Sequence, residues 1–412
     1  MKEKIAGTLI WAVVLLLTAC GRVGEPTAAV TNATASPQLT ETPTAVQCAT
    51  ETAGPRAEDY LERGKAYLQK GDHNQAIAEF DQAIQLKPDL ADAYSGRGVA
   101  YALKGDYDRA IADFDQAIRL RPNSAKAYSN RGGAYHSKGD LDRAIADYDQ
   151  AIKLDPDRAE TYFNRGMAYA RKGDYDRAIA DYSQAANLKP DDAAPYLERG
   201  VSYARKGDLE RAISDFNQAI KLKPDLAEAY LQRGNAYGEQ EEFALALVDY
   251  ERAIKLKPDL AQAYYSRAYT HTMRGDYSSA IADYNEVIKL RPDDAAAYLD
   301  RGLAYQLRGD YAESLVDYNQ AIELNPDLAD AYYHRGVIYA IDGDLDRAIV
   351  DFDQALRLKP DLAWAYYDRG RAYEEKGEKE KAIADLKKFL ELSEAPYWRQ
   401  QAEEQLKALE GR

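Results

Sequence analysis

Ten arginines recur at intervals of 34 residues: Arg63, Arg97, Arg131, Arg165, Arg199, Arg233, Arg267, Arg301, Arg335 and Arg369. Sixteen residues after each stands an acid: Glu79, Asp113, Asp147, Asp181, Asp215, Asp249, Asp283, Asp317, Asp351 and Asp385. A guanidinium is a planar fork of donors that matches the two oxygens of a carboxylate. The two series therefore predict a structural ladder of ion pairs, formed within one repeat or between neighbours. The rival chemistry is a stripe of cations that holds an anion. The acids would cancel such a stripe, and ligand-contacting positions differ between repeats, whereas this one never does.

Other reactive residues offer less. His73, His136, His271 and His334 fall in different repeats, without the helical spacing of a metal pair. Neither a glycine-rich phosphate loop, a nucleophile elbow nor a zincin motif is present. The two cysteines, Cys20 and Cys48, precede the repeats, which therefore hold no disulfide and no thiolate metal site. A net charge of -15 leaves no cationic surplus for phosphates, so nucleic acid is not an expected partner. No cofactor and no enzymatic activity are expected.

The elements that position the ladder come from the repeat itself. Units of 34 residues start at 57, 91, 125, 159, 193, 227, 261, 295, 329 and 363. The fourth slot is Tyr in all ten, the eighth Gly in nine, the twentieth Ala in nine and the twenty-fourth Phe or Tyr in nine. These slots largely explain the bias of 33 Tyr against 7 Phe. Their spacing predicts two amphipathic helices per unit. Gly at slot 15 (Glu241 is the exception) stops the first helix, Asp at slot 16 starts the second, and Pro at slot 32 ends it. One such pair cannot bury its own apolar stripe, so the units must stack.

This pattern resembles the tetratricopeptide repeat family over residues 57–396. The resemblance implies an all-α, right-handed superhelical solenoid with the first helix of each unit inside. Residues 397–412 read as a capping helix, with Trp398, Ala402, Leu406 and Leu409 on one face. The family's inner surface uses slots 2, 5, 6, 9, 12 and 13, which vary most here. They include Phe163 and Met167, then Tyr265, Tyr269 and Met273, then Leu299 and Leu303. Tyr333, Val337 and Ile341 follow, with Trp364 and Tyr367 last. Large apolar side chains there suggest a groove for a protein or peptide partner. The competing expectation is that they pack between neighbouring helices. The family's clamp for chaperone C-termini needs Lys at slot 5, which no unit has.

The first 19 residues read as a signal peptide, with an apolar run from Ile5 to Leu17. Leu17-Thr18-Ala19-Cys20 resembles the bacterial lipobox, which implies lipidation of Cys20. Gly21 after the cysteine points to the outer membrane, or to the outer face of the cell membrane in a one-membrane bacterium. Residues 20–56 read as a disordered Thr/Ala/Pro-rich tether spanning about 33 Å as a flexible coil. Together these features predict a membrane-anchored lipoprotein that serves as a protein-interaction scaffold. The alternative is a self-assembling structural protein of the cell envelope, joined through open stack ends or Cys48.

Overall fold

The computed structural model describes residues 55–411. The signal peptide, the lipidation position Cys20, Cys48 and nearly all of the tether lie outside the described residues. Those described form 21 helices and no strand. They divide into two compact bodies between Asp225 and Leu226.

The first body holds five helix pairs: α1 (Ala57–Gln69) with α2 (His73–Leu86), α3 (Ala91–Leu103) with α4 (Tyr107–Leu120), α5 (Ala125–Lys138) with α6 (Leu141–Leu154), α7 (Ala159–Arg171) with α8 (Tyr175–Leu188), and α9 (Ala193–Arg205) with α10 (Leu209–Leu222). The second holds five more: α11 (Ala227–Glu239) with α12 (Phe243–Leu256), α13 (Ala261–Met273) with α14 (Tyr277–Leu290), α15 (Ala295–Arg308) with α16 (Tyr311–Leu324), α17 (Ala329–Asp342) with α18 (Leu345–Leu358), and α19 (Ala363–Glu375) with α20 (Lys379–Leu392). A single helix, α21 (Pro396–Glu410), ends it. It begins one residue before the expected boundary, with Pro396 at its first helical position, where a missing N–H costs nothing.

Local chemistry sets each turn. Gly139 takes a φ of 85° after α5, and the Asp140 side chain then accepts from the Arg143 N–H at the start of α6. Glu241 is forced into the same left-handed conformation, with φ 62°. Nine of the ten pairs close on a ring at slot 24, and the tenth closes on Leu386. Phe80, Phe114, Tyr148, Tyr182 and Phe216 are buried in the first body; Tyr250, Tyr284, Tyr318 and Phe352 are buried in the second. The facing glycine makes room for that ring: a Cβ on Gly132 would lie 2.8 Å from Tyr148 Cε1.

Within each body the first helices of successive pairs approach one another, while the second helices do not do so to the same extent. The first helices therefore line the inner side of each body. At the end of the second body, Trp398 and Ala402 of α21 are buried against Tyr367 and Phe389. Among the described residues no helix is long and apolar enough to cross a membrane.

Candidate functional site

Slot 7 of every first helix pairs with slot 23 of its own second helix. Nε and Nη2 of Arg97, Arg131, Arg165, Arg199, Arg233, Arg301 and Arg335 donate to both oxygens of Asp113, Asp147, Asp181, Asp215, Asp249, Asp317 and Asp351 respectively, at 2.6–2.8 Å. Arg267–Asp283 and Arg369–Asp385 repeat this geometry, and Arg63 reaches one oxygen of Glu79. The aspartates are buried; the arginine side chains keep about a fifth of their surface. The tyrosine at slot 4 flanks the cation, as where Arg131 Cζ lies 5.5 Å from the Tyr128 ring centre.

The remaining fork, Nη1, crosses to the preceding pair. Arg97, Arg131 and Arg165 donate to Asp81, Asp115 and Asp149, and Arg199 donates to Ser183. In the second body Arg301, Arg335 and Arg369 donate to Asn285, Asn319 and Asp353. The ladder thus works both within and between units. The between-unit acceptor at slot 25 was missed from sequence, although the signal was there. The first nine units carry Asp, Ser, Asn or Glu at that slot. The tenth, with no slot-7 arginine after it, carries Lys387, which bridges to Glu410 of α21 at 2.9 Å. With its donors so committed, the stripe does not present an anion site. Hydrogen bonding to Asp147 holds the Arg131 guanidinium above its ordinary value. At Asp181 burial outweighs the Arg165 partner and raises the carboxyl, as expected where desolvation rivals attraction.

The apolar residues expected in a groove separate into two groups. Phe163, Met167, Tyr265, Tyr269, Met273, Leu299, Ile341 and Trp364 are half-buried on the first helices. Leu303, Tyr333, Val337 and Tyr367 are buried, and the expectation that they line an open groove is corrected. Tyr333 and Val337 pack on Phe352 and Leu362, and Tyr367 is sealed under Trp398. Phe163 tilts against Tyr182 at 5.6 Å, beside Met167, in the first body. In the second, Tyr269, Met273 and Leu307 gather around Leu303. Met273, Leu307 and Ile341 occupy slot 13 of three successive units and are all half-buried.

Two tyrosines reach into the following unit. Tyr265 donates to Asp300, and Tyr333 donates to Asp368 Oδ2 at 2.9 Å. Burial pushes both carboxyls up to about 6. His334 lies between Tyr318 and Tyr333, and burial pushes its imidazole down to about 4. Two hydroxyls at slot 24 are matched by polar neighbours on the first helix: Tyr250 donates to Asn235 at 3.1 Å and Tyr318 to Gln306 at 2.6 Å. Phe352 stands where the neighbours are Val337 and Ala340. A cavity of about 310 Å³ opens beside Val337, Ala340, Leu345 and Phe352, with Asp368, Arg371, Glu374, Glu375 and Gln405 on its walls. Among the described residues no cluster of His, Cys, Asp and Glu is arranged to hold a metal ion.

Comparison with known proteins identifies the repeat. The family model described as TPR repeat matches residues 64–241 and 268–341 in overlapping stretches, and tetratricopeptide repeat models match 227–260 and 336–407. No curated protein matches the sequence. Solved structures similar to it include MamA, at 27% identity over 40% of this chain and 96% of MamA, with a TM-score of 0.37. YrrB, described as a TPR protein with an unusual peptide-binding site, is 23% identical over 46% of this chain and 97% of its own, with a TM-score of 0.40. Yeast Tom70 is 15% identical over 86% of this chain and 95% of its own, with a TM-score of 0.42. The helix pairs follow the 34-residue period, family models match along most of it, and the chain belongs to the tetratricopeptide repeat family.

Proposed function

We propose that the protein is a lipid-anchored scaffold that binds a protein or peptide partner on the first-helix face of its second body. The observation that carries this reading is the slot-13 series of Met273, Leu307 and Ile341, all half-buried, with Met273 and Leu307 gathered beside Tyr269. Elsewhere slot 13 is mostly polar or charged: Gln69, Ser137, Arg171, Arg205, Glu239 and Glu375. The ion-pair ladder beside this face is saturated, so recognition falls to the apolar side chains, which supply most binding energy at such surfaces. The family consists generally of non-enzymatic scaffolds, and the protein is read as one. Anchoring rests on Leu17-Thr18-Ala19-Cys20 behind its apolar run, and places the protein at the outer membrane or the outer face of the cell membrane. Several acyl chains hold far more firmly than one.

Capture of partners from the membrane fraction tests this reading, with the wild-type chain compared against Leu307→Glu and Ile341→Glu. A partner retained by the wild type and lost in both variants supports it; equal capture by all three contradicts it. Tyr333 is unsuitable for this purpose, because it is fully buried and its loss would damage the core.

A second reading is self-association through the outer face. Val248, Val316 and Val350 stand at slot 22 of α12, α16 and α18, more than 60% exposed. A chain that elutes as a monomer with and without reductant would exclude it.

A further inference from the structure

We propose that the cavity beside α21 is a socket for one lysine or arginine side chain of a polypeptide partner. The inference deepens the reading of the first-helix face and rests on it. Val337 on α17 and Phe352 on α18 supply an apolar floor, and Gln405 on α21 closes one side by donating to Glu374. α19 contributes all the charge: Asp368, Glu374 and Glu375 against the single guanidinium of Arg371. Three carboxylates to one cation leave the socket negative.

Asp368 is held in place. Tyr333 donates to its Oδ2 at 2.9 Å, which restrains the carboxylate without neutralising it. Asp368 itself lines the cavity. Arg371 on the same helix offsets part of the charge on this desolvated carboxylate, and a second cation would offset more of the excess of three carboxylates. Lysine and arginine combine an aliphatic stem with a charged head, so one side chain covers the apolar floor while its head meets Asp368 and Glu375. An anion would be repelled by the carboxylates. A purely apolar side chain would fill the floor and leave Asp368 more desolvated than before.

The test titrates the full chain with agmatine, a four-carbon stem with a guanidinium at one end and an ammonium at the other, and separately with glutarate, a dianion of similar length. Saturable binding of agmatine alone is expected. Asp368→Asn should weaken it about tenfold, the loss of one charged hydrogen-bonded partner. Glu375→Gln, at an exposed position that takes no part in packing, should weaken it by a smaller factor and keep the helical melt unchanged. Equal agmatine affinity in wild type and Asp368→Asn, absence of saturable binding, or preferential binding of glutarate would overturn the proposal. Agmatine reads the socket alone, whereas partner capture reads Leu307 and Ile341. Failure of one therefore leaves the other result standing.

Discussion

Arg131 donates from Nε and Nη2 to the two oxygens of Asp147, at 2.8 and 2.6 Å, and from Nη1 to Asp115 of the preceding helix pair. One side chain thus fixes the angle inside a pair and the step to its neighbour. Burial differs at the two ends: the Asp147 side chain is 9% exposed and that of Asp115 is 51% exposed. Asp147→Ala leaves a half-buried guanidinium without its main partner and should cost about 3–5 kcal/mol. Asp115→Ala breaks a solvent-screened contact and should cost about 1 kcal/mol or less. Denaturant unfolding of the two variants checks the ordering. Replacing Arg131 and Asp147 together by Met and Leu should come close to neutral, because the desolvation cost disappears with the attraction.

Glu241 holds a left-handed φ of 62° at the turn where most units have glycine. A non-glycine residue there costs about 1 kcal/mol or more. Glu241→Gly should stabilise the second body by about that amount, read as a higher denaturant midpoint. An unchanged or lowered midpoint would show that the Glu241 side chain repays the strain by other contacts.

The pH response should come from Asp300, Asp368 and His334, with opposite signs. Burial raises the two carboxyls to about 6 in the folded chain against an ordinary 3.8. The folded state then takes up their protons first, so their contribution to stability grows as pH falls from about 6 toward 4. His334 is lowered to about 4 from 6.5, so the unfolded chain takes its proton first and stability is lost over nearly the same window. Isolating each trend needs variants. The stability of Asp300→Asn relative to wild type should be greatest near pH 7.5 and decline by pH 4.5. His334→Gln should show the reverse. Parallel pH profiles for wild type and both variants would contradict this assignment.

Much of the architecture was legible because each slot is written ten times over. Gly at slots 8 and 15, Asp at 16 and the ring at 24 act through contacts inside one helix pair, so their roles survive translation along the chain. The slot-25 acceptor stays polar through nine units while its residue type changes, and it was missed because its partner belongs to the next unit. The groove was less legible because slots 5 and 9 change function with their neighbours. Tyr333 disappears under the following helix to meet Asp368, while Tyr265, at the same slot, stays half-buried over Asp300. No period announces which large side chain tucks under and which remains available. The α21 cavity depends on Gln405 lying opposite Glu374, a relationship between segments that a helical wheel cannot show.

The most direct measurement for the central claim is photo-crosslinking in cells. A photoreactive residue is placed at Ile341 on the first-helix face or at Val350 on the outer face, which is 65% exposed. Adducts to another protein from Ile341, with none from Val350, are predicted. Adducts from Val350 with none from Ile341 would place the partner, or a second copy of the chain, on the opposite surface and contradict the assignment.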